Sequence, residues 1–190
     1  MNFESEGVYN VHMIKLNASE LRTTKATKKD LKKIKKNPIY IILDNVLDTY
    51  NVGAIFRLAD AVSAEKIYLC GQTETPPHTR IKKASINTTE WVAWEYAETA
   101  VSAVKSLKLK VKSLRVIAVE QDKRSVQYNK ADYSFPVALI VGHESTGVSK
   151  EALDLSDQIV EIPMWGVNKS LNVMVSLGIV LYKVMEQFEK

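Results

Sequence analysis

The sequence predicts an α/β domain in which helices flank a mostly parallel sheet. Two features lead to this prediction: short apolar runs rich in β-branched residues recur along the chain, and segments of helical periodicity separate them. Strands that are apolar on both faces are typical of parallel sheets, and their alternation with helices is the pattern of an α/β fold. The 190 residues, 46% of them hydrophobic, suffice for one domain with a substantial core.

The segment before Pro38 differs from the rest, because it is basic and carries little hydrophobic periodicity. From residue 22 to residue 36 its cations are Arg22, Lys25, Lys28, Lys29, Lys32, Lys33, Lys35 and Lys36, with Asp30 as the only acid among them. We predict a basic arm or helix over residues 1–37 that binds a polyanion, followed by the folded domain over residues 38–190. A solubilising tail is an equally open alternative on composition alone.

The first half of the domain is predicted to form a strand, a helix and a second strand. Ile39–Leu43 and Lys66–Cys70 are the two apolar runs, so a right-handed βαβ unit is expected. Between them, Asn51 is the predicted N-cap of a helix that extends to about Val62. Arg57 falls outside the apolar stripe of that helix and is expected to reach back towards the helix N-terminus.

The second half continues the alternation. Predicted strands cover Leu114–Val119, Val137–Val141 and Gln158–Ile162, and predicted helices cover Ala97–Lys110, a short segment capped by Ser149, and a last segment from near Ser170 towards Phe188. The last helix is apolar nearly all round, so it must be covered on several sides. Residues 120–136 are predicted to form a polar connection.

Basic residues precede aromatic residues in the segment that follows the second strand. Arg80, Lys82 and Lys83 come first, and Trp91 and Trp94 follow soon after. This order suits RNA, because cations hold phosphates and rings stack on bases. For each tryptophan, packing in the core or an interface is the favoured alternative.

Several functional classes are disfavoured by what the sequence lacks. Cys70 is the only cysteine and ends an apolar run, so we expect a buried thiol, no disulfide and no thiolate metal site. His12, His78 and His143 are scattered, so no metal site is expected from them either. The N-terminus does not resemble a signal peptide, and the last apolar run is too short and interrupted to span a bilayer. A cytoplasmic protein without a membrane partner is therefore predicted.

Residues 137–173 are the predicted centre of the molecule. They contain two successive strand–loop–helix turns, Ile140–Ser149 and Ile159–Leu171, whose loops are expected at one sheet edge with a ligand between them. The first loop, from Gly142 to Gly147, is neither the fingerprint of a P-loop nor that of a dinucleotide site. The chain also lacks the glycine–serine motif of a nucleophile elbow.

Three stretches together resemble the motifs of the SpoU/TrmH family of RNA ribose 2′-O-methyltransferases, in the SPOUT superfamily. They are Asn51–Ala61, Ile140–Ser149, and Ile162–Gly166 with Ser170–Val173, and the resemblance extends from about Ile39 to the C-terminus. It implies an α/β fold with a C-terminal trefoil knot, S-adenosylmethionine bound in the knot, and a homodimer through the last helix. The second stretch looks closest to tRNA-modifying members, so tRNA is favoured over rRNA as the RNA partner.

The resemblance also implies a cofactor site and a catalytic arginine. Contacts to the cofactor, largely through main-chain groups, are implied at Gly142, Ile162 and Leu171, with Val119 as a further candidate. Arg57 matches the arginine of the first motif. Because arginine stays protonated, we favour Arg57 as a clamp for phosphate and hydroxyl over Arg57 as a general base.

Four more residues are candidates for the catalytic set. Asn51 and Glu144 are expected to position Arg57 and the nucleotide, and Ser170 and Asn172 to shape the site. The alternatives are that Asn51 and Ser170 are only helix caps and that Glu144 only accepts hydrogen bonds from loop amides.

Two other functions are compatible with the sequence. A non-catalytic RNA-binding protein on the same fold is disfavoured by the complete catalytic set. An α/β protein that binds another nucleotide is disfavoured by the missing glycine fingerprints.

Overall fold

The computed structural model describes residues 16–23 and 31–188, and its centre is a seven-stranded sheet. The strands are β1 (Asn37–Asp44), β2 (Ala64–Cys70), β3 (Trp94–Ala97), β4 (Arg115–Val119), β5 (Val126–Gln127), β6 (Val137–Gly142) and β7 (Gln158–Glu161). Their order across the sheet is β3-β2-β1-β6-β4-β7-β5, and every neighbouring pair is parallel. The predicted α/β fold with a mostly parallel sheet is confirmed.

Helices cover both faces of this sheet. They are α1 (Ala18–Thr23), α2 (Thr49–Ala61), α3 (Thr79–Ser85), α4 (Ala100–Lys110), α5 (Lys150–Leu155) and α6 (Val173–Met185). Ile41 and Leu43 of β1 share one core cluster with residues of α2 and α6. Ile42 points to the other face and shares a second cluster with residues of α4 and α5. This double covering explains why the central strands are continuous apolar runs.

Among the strands and α-helices of residues 31–188, three short elements were not predicted. The edge strand β3 ends at Ala97, the residue at which a helix was predicted to begin. The observed helix α4 begins only at Ala100, because Thr99 caps it. The helix α3 has no side-chain cap at its N-terminus, so the sequence carries no start signal for it. The strand β5 has only two residues and lies in the predicted polar connection.

Two predicted helix starts are wrong. The N-cap of α2 is Asp48, whose carboxylate accepts the main-chain N–H of Tyr50 at 2.8 Å, and not Asn51. The last helix begins at Val173 rather than near Ser170, because the side chain of Asn172 caps it. The reading of Asn51 and Ser170 as simple caps is therefore wrong as well.

The predicted packing roles of Cys70 and the two tryptophans are confirmed. Cys70 is fully buried, and desolvation, together with the nearby Asp44 carboxylate, raises the pKa of its thiol to about 12. Trp91 and Trp94 pack against the core, and the Trp91 indole N–H donates to Asp60 at 2.6 Å.

Parts of the predicted arm, including Lys25, Lys28 and Lys29, lie outside the described residues. Within residues 16–23 and 31–188, no helix is long and apolar enough to cross a membrane.

The helices α2 and α3 pack closely against each other at Gly53. A Cβ atom on Gly53 would lie 2.6 Å from the Cβ of Ala84 and 2.7 Å from the carbonyl oxygen of Ile81. Gly178 on α6 differs, because a Cβ there would lie 3.7 Å from the methyl groups of Leu58, an ordinary contact. Of these two glycines, only Gly53 is therefore required by packing.

We expect Gly53→Ala to lower the free energy of unfolding by about 1–3 kcal/mol, because the methyl group forces α2 and α3 apart. Gly178→Ala is the matched control and should raise it by up to about 1 kcal/mol, since alanine favours the helix. Urea denaturation measures both values. A Gly53→Ala protein as stable as wild type would contradict the close crossing.

Candidate active site

The carboxyl ends of β4, β6 and β7 surround a cavity of about 520 Å³. Its lining includes the four predicted cofactor contacts, which are Val119, Gly142, Ile162 and Leu171. It also includes Glu144, Ser170 and Asn172 of the predicted catalytic set. The fold therefore brings seven of the nine predicted site residues to one place.

The loop after β6 forms one wall of this cavity and is folded back on itself. His143 and Gly147 exchange two main-chain hydrogen bonds of 3.1 and 2.9 Å. The Nδ1 atom of His143 accepts the main-chain N–H groups of Ser145 at 2.9 Å and Thr146 at 3.3 Å. A Cβ on Gly142 would lie 2.2 Å from the carbonyl carbon of Gly147, which itself has a φ of +71°. Both glycines are thus needed to close the loop.

Glu120, at the end of β4, holds the far side of the same loop. Its carboxylate accepts the N–H of Val148 at 2.9 Å and the N–H of Gln121 at 2.8 Å. The main-chain N–H groups from Ser145 to Val148 all donate to atoms of the protein itself. The loop is therefore not an open anion site of the P-loop kind. Glu120 was not predicted, although an acid directly after a buried strand is a signal that the sequence contains.

Glu144 joins the loop after β6 to the start of α2. Its Oε1 atom accepts the N–H of Asp48 and the Nδ2 of Asn51, both at 3.0 Å, and its Oε2 accepts the N–H of Leu47 at 3.1 Å. Partial burial opposes ionisation of this carboxyl, but these hydrogen bonds outweigh it and hold the pKa of Glu144 below the ordinary glutamate value. Glu144 is therefore an anion at neutral pH.

Asn172 extends this connection to α6. Its Nδ2 donates to the Oδ1 of Asn51 at 3.0 Å, and its own Oδ1 accepts the N–H groups of Met174 and Val175 at the start of α6. Asn51 is buried and does not line the cavity, so its side chain acts as the link between Glu144 and Asn172.

Arg57 and Ser170 are placed differently from this group. Arg57 is exposed on α2 and does not line the cavity, and its side chain makes no hydrogen bond or ion pair with the part of the chain that the structure describes. The predicted reach towards the N-terminus of α2 thus produces no contact there. Ser170 is exposed at the cavity, and its N–H donates to the side chain of Asn168 at 3.1 Å.

Sequence and structure comparisons place this geometry in a family. Residues 38–182 match the sequence model of the SpoU rRNA Methylase family. The chain belongs to this family. It is 35% identical to the tRNA (guanosine(18)-2'-O)-methyltransferase of Aquifex aeolicus over 162 residues, which are 82% of this chain and 72% of that protein. The predicted family resemblance is therefore confirmed.

Two solved structures of the family share the fold. The TrmH/SpoU tRNA modifying enzyme of A. aeolicus superposes with a TM-score of 0.74 at 29% identity, over 90% of this chain and 82% of that one. The AdoMet-bound rRNA methyltransferase of Sinorhizobium meliloti superposes with a TM-score of 0.72, also at 29% identity. That match covers 83% of this chain and 60% of that one, so the chain spans less than two thirds of that relative.

The SpoU-family cavity of this chain has an excess of negative charge. Glu120, Glu144 and Glu161 are among its lining residues, and Lys169 is the only Lys or Arg among them. Among the described residues, no group of three or more His, Cys, Asp or Glu side chains is arranged to hold a metal ion. The arrangement suits a positively charged organic ligand better than a phosphate.

We expect Glu144→Gln to destabilise the protein at pH 7, because the new amide turns a donor towards N–H groups that need an acceptor. A lowered pKa in the folded state means that the stabilisation is present above the ordinary glutamate pKa. It is then lost as the pH falls from about 4.3 through the lower folded value. The difference in free energy of unfolding between wild type and Glu144→Gln should therefore shrink in acid.

Urea denaturation at a series of pH values measures this difference. The control is Glu74→Gln in the exposed loop after β2, which should behave as wild type throughout. If the difference in free energy of unfolding between wild type and Glu144→Gln did not change with pH, that would contradict the assignment of Glu144 as an anion with a lowered pKa.

Proposed function

We propose that this chain transfers the methyl group of S-adenosylmethionine to a ribose 2′-hydroxyl of RNA, with tRNA favoured over rRNA. The predicted reaction class and cofactor are confirmed by the relatives, since one is a tRNA (guanosine(18)-2'-O)-methyltransferase and another is an AdoMet-bound rRNA methyltransferase. The preference for tRNA is supported by the A. aeolicus relative. The observation that carries the proposal for this chain is the acidic cavity lined by all four predicted cofactor contacts.

The residues of the cavity fit the cofactor by charge. S-adenosylmethionine supplies a methyl group on a positively charged sulfonium and also carries an ammonium and a carboxylate group, so its net charge is positive. The carboxylates of Glu120, Glu144 and Glu161 offset this positive charge, and main-chain groups at Gly142 and Leu171 are proposed to hold the cofactor, together with those of Val119 and Ile162.

The methyl acceptor sets the second requirement. A ribose 2′-hydroxyl is a very weak acid, so the site must stabilise negative charge on its oxygen as the proton leaves. We assign this to Arg57 as a clamp for phosphate and hydroxyl. Asn51 and Glu144 position the start of α2, and Ser170 and Asn172 shape the side of the cavity towards α6.

We also propose a homodimer through α6. Leu171, Val175 and Tyr182 are exposed apolar residues at and along this helix. Leu58 of α2 packs beside Gly178 of α6, and Arg57 is the residue before it on α2. Since Arg57 does not line the cavity of its own chain, the dimer offers it a place to act, namely the cavity of the partner.

The remaining predicted features are proposals as well. A C-terminal trefoil knot is supported by the path of residues 162–172, which contact Gln121 after β4 and Asn51 in α2 before α6 packs on α2. The division into an arm, residues 1–37, and a catalytic domain, residues 38–190, is supported by the family match, which begins at residue 38. A cytoplasmic location is proposed because the relatives act on RNA.

Incubation with labelled S-adenosylmethionine and bulk RNA, followed by digestion to nucleosides, tests the function. We expect label in a 2′-O-methyl nucleoside, with tRNA as the labelled fraction. Label in bases alone would contradict ribose methylation, and no transfer to any RNA would favour the non-catalytic RNA-binding alternative.

In the same assay, Arg57→Ala should lose about 100-fold or more in transfer rate while it keeps its affinity for the cofactor. A mixed dimer of one Arg57→Ala subunit and one Gly142→Val subunit separates the two possible positions of the arginine. If Arg57 acts in the partner's cavity, the mixed dimer regains transfer, because the intact cavity then receives an intact arginine. If Arg57 acts in its own chain, the mixed dimer is inactive and our assignment fails.

The arm and α3 are proposed to hold RNA outside the cavity. Arg80, Lys82 and Lys83 are exposed on α3, which contains no acid. The side-chain amide of Asn87, just after α3, donates to the carbonyl of Leu21 at 2.9 Å, so the described part of the arm lies beside this helix.

Replacing Lys32, Lys33 and Lys35 by alanine should weaken RNA binding. It should also flatten the dependence of log K on log salt by about 0.7–0.9 for each lost phosphate contact. The matched control is the triple alanine variant of Lys105, Lys110 and Lys112, in or next to α4 on the other face of the sheet. Equal salt slopes for the two variants would exclude phosphate contacts by the arm and favour the alternative of a solubilising tail.

A further inference from the structure

Trp165 lies at the rim of the cavity with its indole in solvent. The residue is 92% exposed, although its neighbour Met164 lines the cavity. Trp91 and Trp94 differ, because both pack against the core. An indole left in water next to a ligand cavity is a strong candidate for a contact with something that the chain itself does not provide.

The loop that carries Trp165 is anchored on both sides of the indole. Before it, Met164 lies at the cavity wall. After it, the side chain of Gln121 donates to the carbonyl of Lys169, and Asn168 accepts the N–H of Ser170. Between these anchors, Gly166 has no atom within 4 Å of the position of a Cβ. The loop is thus held at both ends beside the cavity, and the indole between them stands in open solvent.

We propose that Trp165 stacks on an unpaired base of the RNA substrate at the mouth of the cavity. The inference rests on the proposed function, since the methyl acceptor must approach the cavity across this rim. A nucleotide that enters the cavity leaves its own base stack, and an aromatic ring replaces part of the lost stacking. Lys169, which lines the cavity a few residues along the same segment, provides a cation for the phosphate of that nucleotide.

Binding of RNA tests the inference without catalysis. The probes are an unmodified tRNA transcribed in vitro and a single-stranded RNA oligonucleotide of mixed sequence, both with S-adenosylhomocysteine present. We expect Trp165→Ala to weaken binding of both by about 5- to 150-fold, the range found for loss of one stacked base. Trp165→Tyr should restore most of the affinity, because it keeps a ring, whereas Trp165→Leu should not.

The matched control is Val167→Ala on the same loop, since Val167 is equally exposed but has no ring. It should bind both RNAs as wild type does. Cofactor affinity and sedimentation velocity are measured for every variant, and Trp165→Ala should leave both unchanged.

Several results would overturn the inference. Unchanged RNA affinity in Trp165→Ala excludes stacking, lost cofactor affinity places the indole on the cofactor, and a shift to monomer places it in the dimer interface. Failure of the proposed function is a separate result, namely no methyl transfer by the wild-type protein. Failure of the wild type to bind either RNA would overturn both.

Discussion

The carboxylate of Glu144 is the interaction on which the site depends. As an anion it only accepts hydrogen bonds, so the Asn51 amide must turn its Nδ2 towards it and its Oδ1 towards Asn172. Asn172 must then donate with Nδ2, which leaves its Oδ1 free to cap α6. One charge therefore fixes the orientation of two amides. It joins Asn51 to Glu144, 93 positions away in the chain, and through Asn51 to Asn172, which is 121 positions from Asn51. Each bond contributes only about 1 kcal/mol, or somewhat more where a charge takes part, but none can be reversed alone.

The same long-range dependence explains which parts of the fold could be predicted from the sequence. The strand β6 is buried at every residue, so its apolar sequence matches its surroundings. The apolar run alone was therefore sufficient to predict this strand. The edge strand β3 is partly exposed and mixes aromatic and charged residues, so it lacks that pattern. The helix α3 has no capping side chain, and it packs closely on α2 at Gly53, a contact that no local pattern indicates. Asp48 and Asn51 are both good N-cap residues, and only the partners of Asn51 elsewhere in the chain decide between them.

The candidate site was predicted in part through the family resemblance rather than from geometry. The resemblance identified Gly142 and Leu171, and the fold places both at one cavity. It did not identify how the chain fixes that cavity, because those contacts join different strand ends. Glu120 is the clearest example: its partner Val148 is 28 positions away, and nothing local connects them. The position of Arg57 outside the cavity could not be predicted from the sequence either. A motif match identifies the arginine, but it does not say whether that arginine faces the cavity of its own chain.

The acids at the strand ends explain why this glycine-bounded loop does not act as a phosphate site. Asp44 of β1 accepts the N–H of Ser149 at 2.8 Å, and Glu120, directly after β4, accepts that of Val148, so these two carboxylates occupy donors that follow β6. A P-loop turns free N–H groups towards its ligand, whereas the N–H groups from Ser145 to Ser149 already donate to protein atoms. On the proposed function, most of the polyanionic substrate must then be held outside the cavity, by the arm and α3, and only the target nucleotide comes to the cavity mouth. On this proposal, acidic residues surround the positively charged cofactor, and basic residues bind the negatively charged RNA.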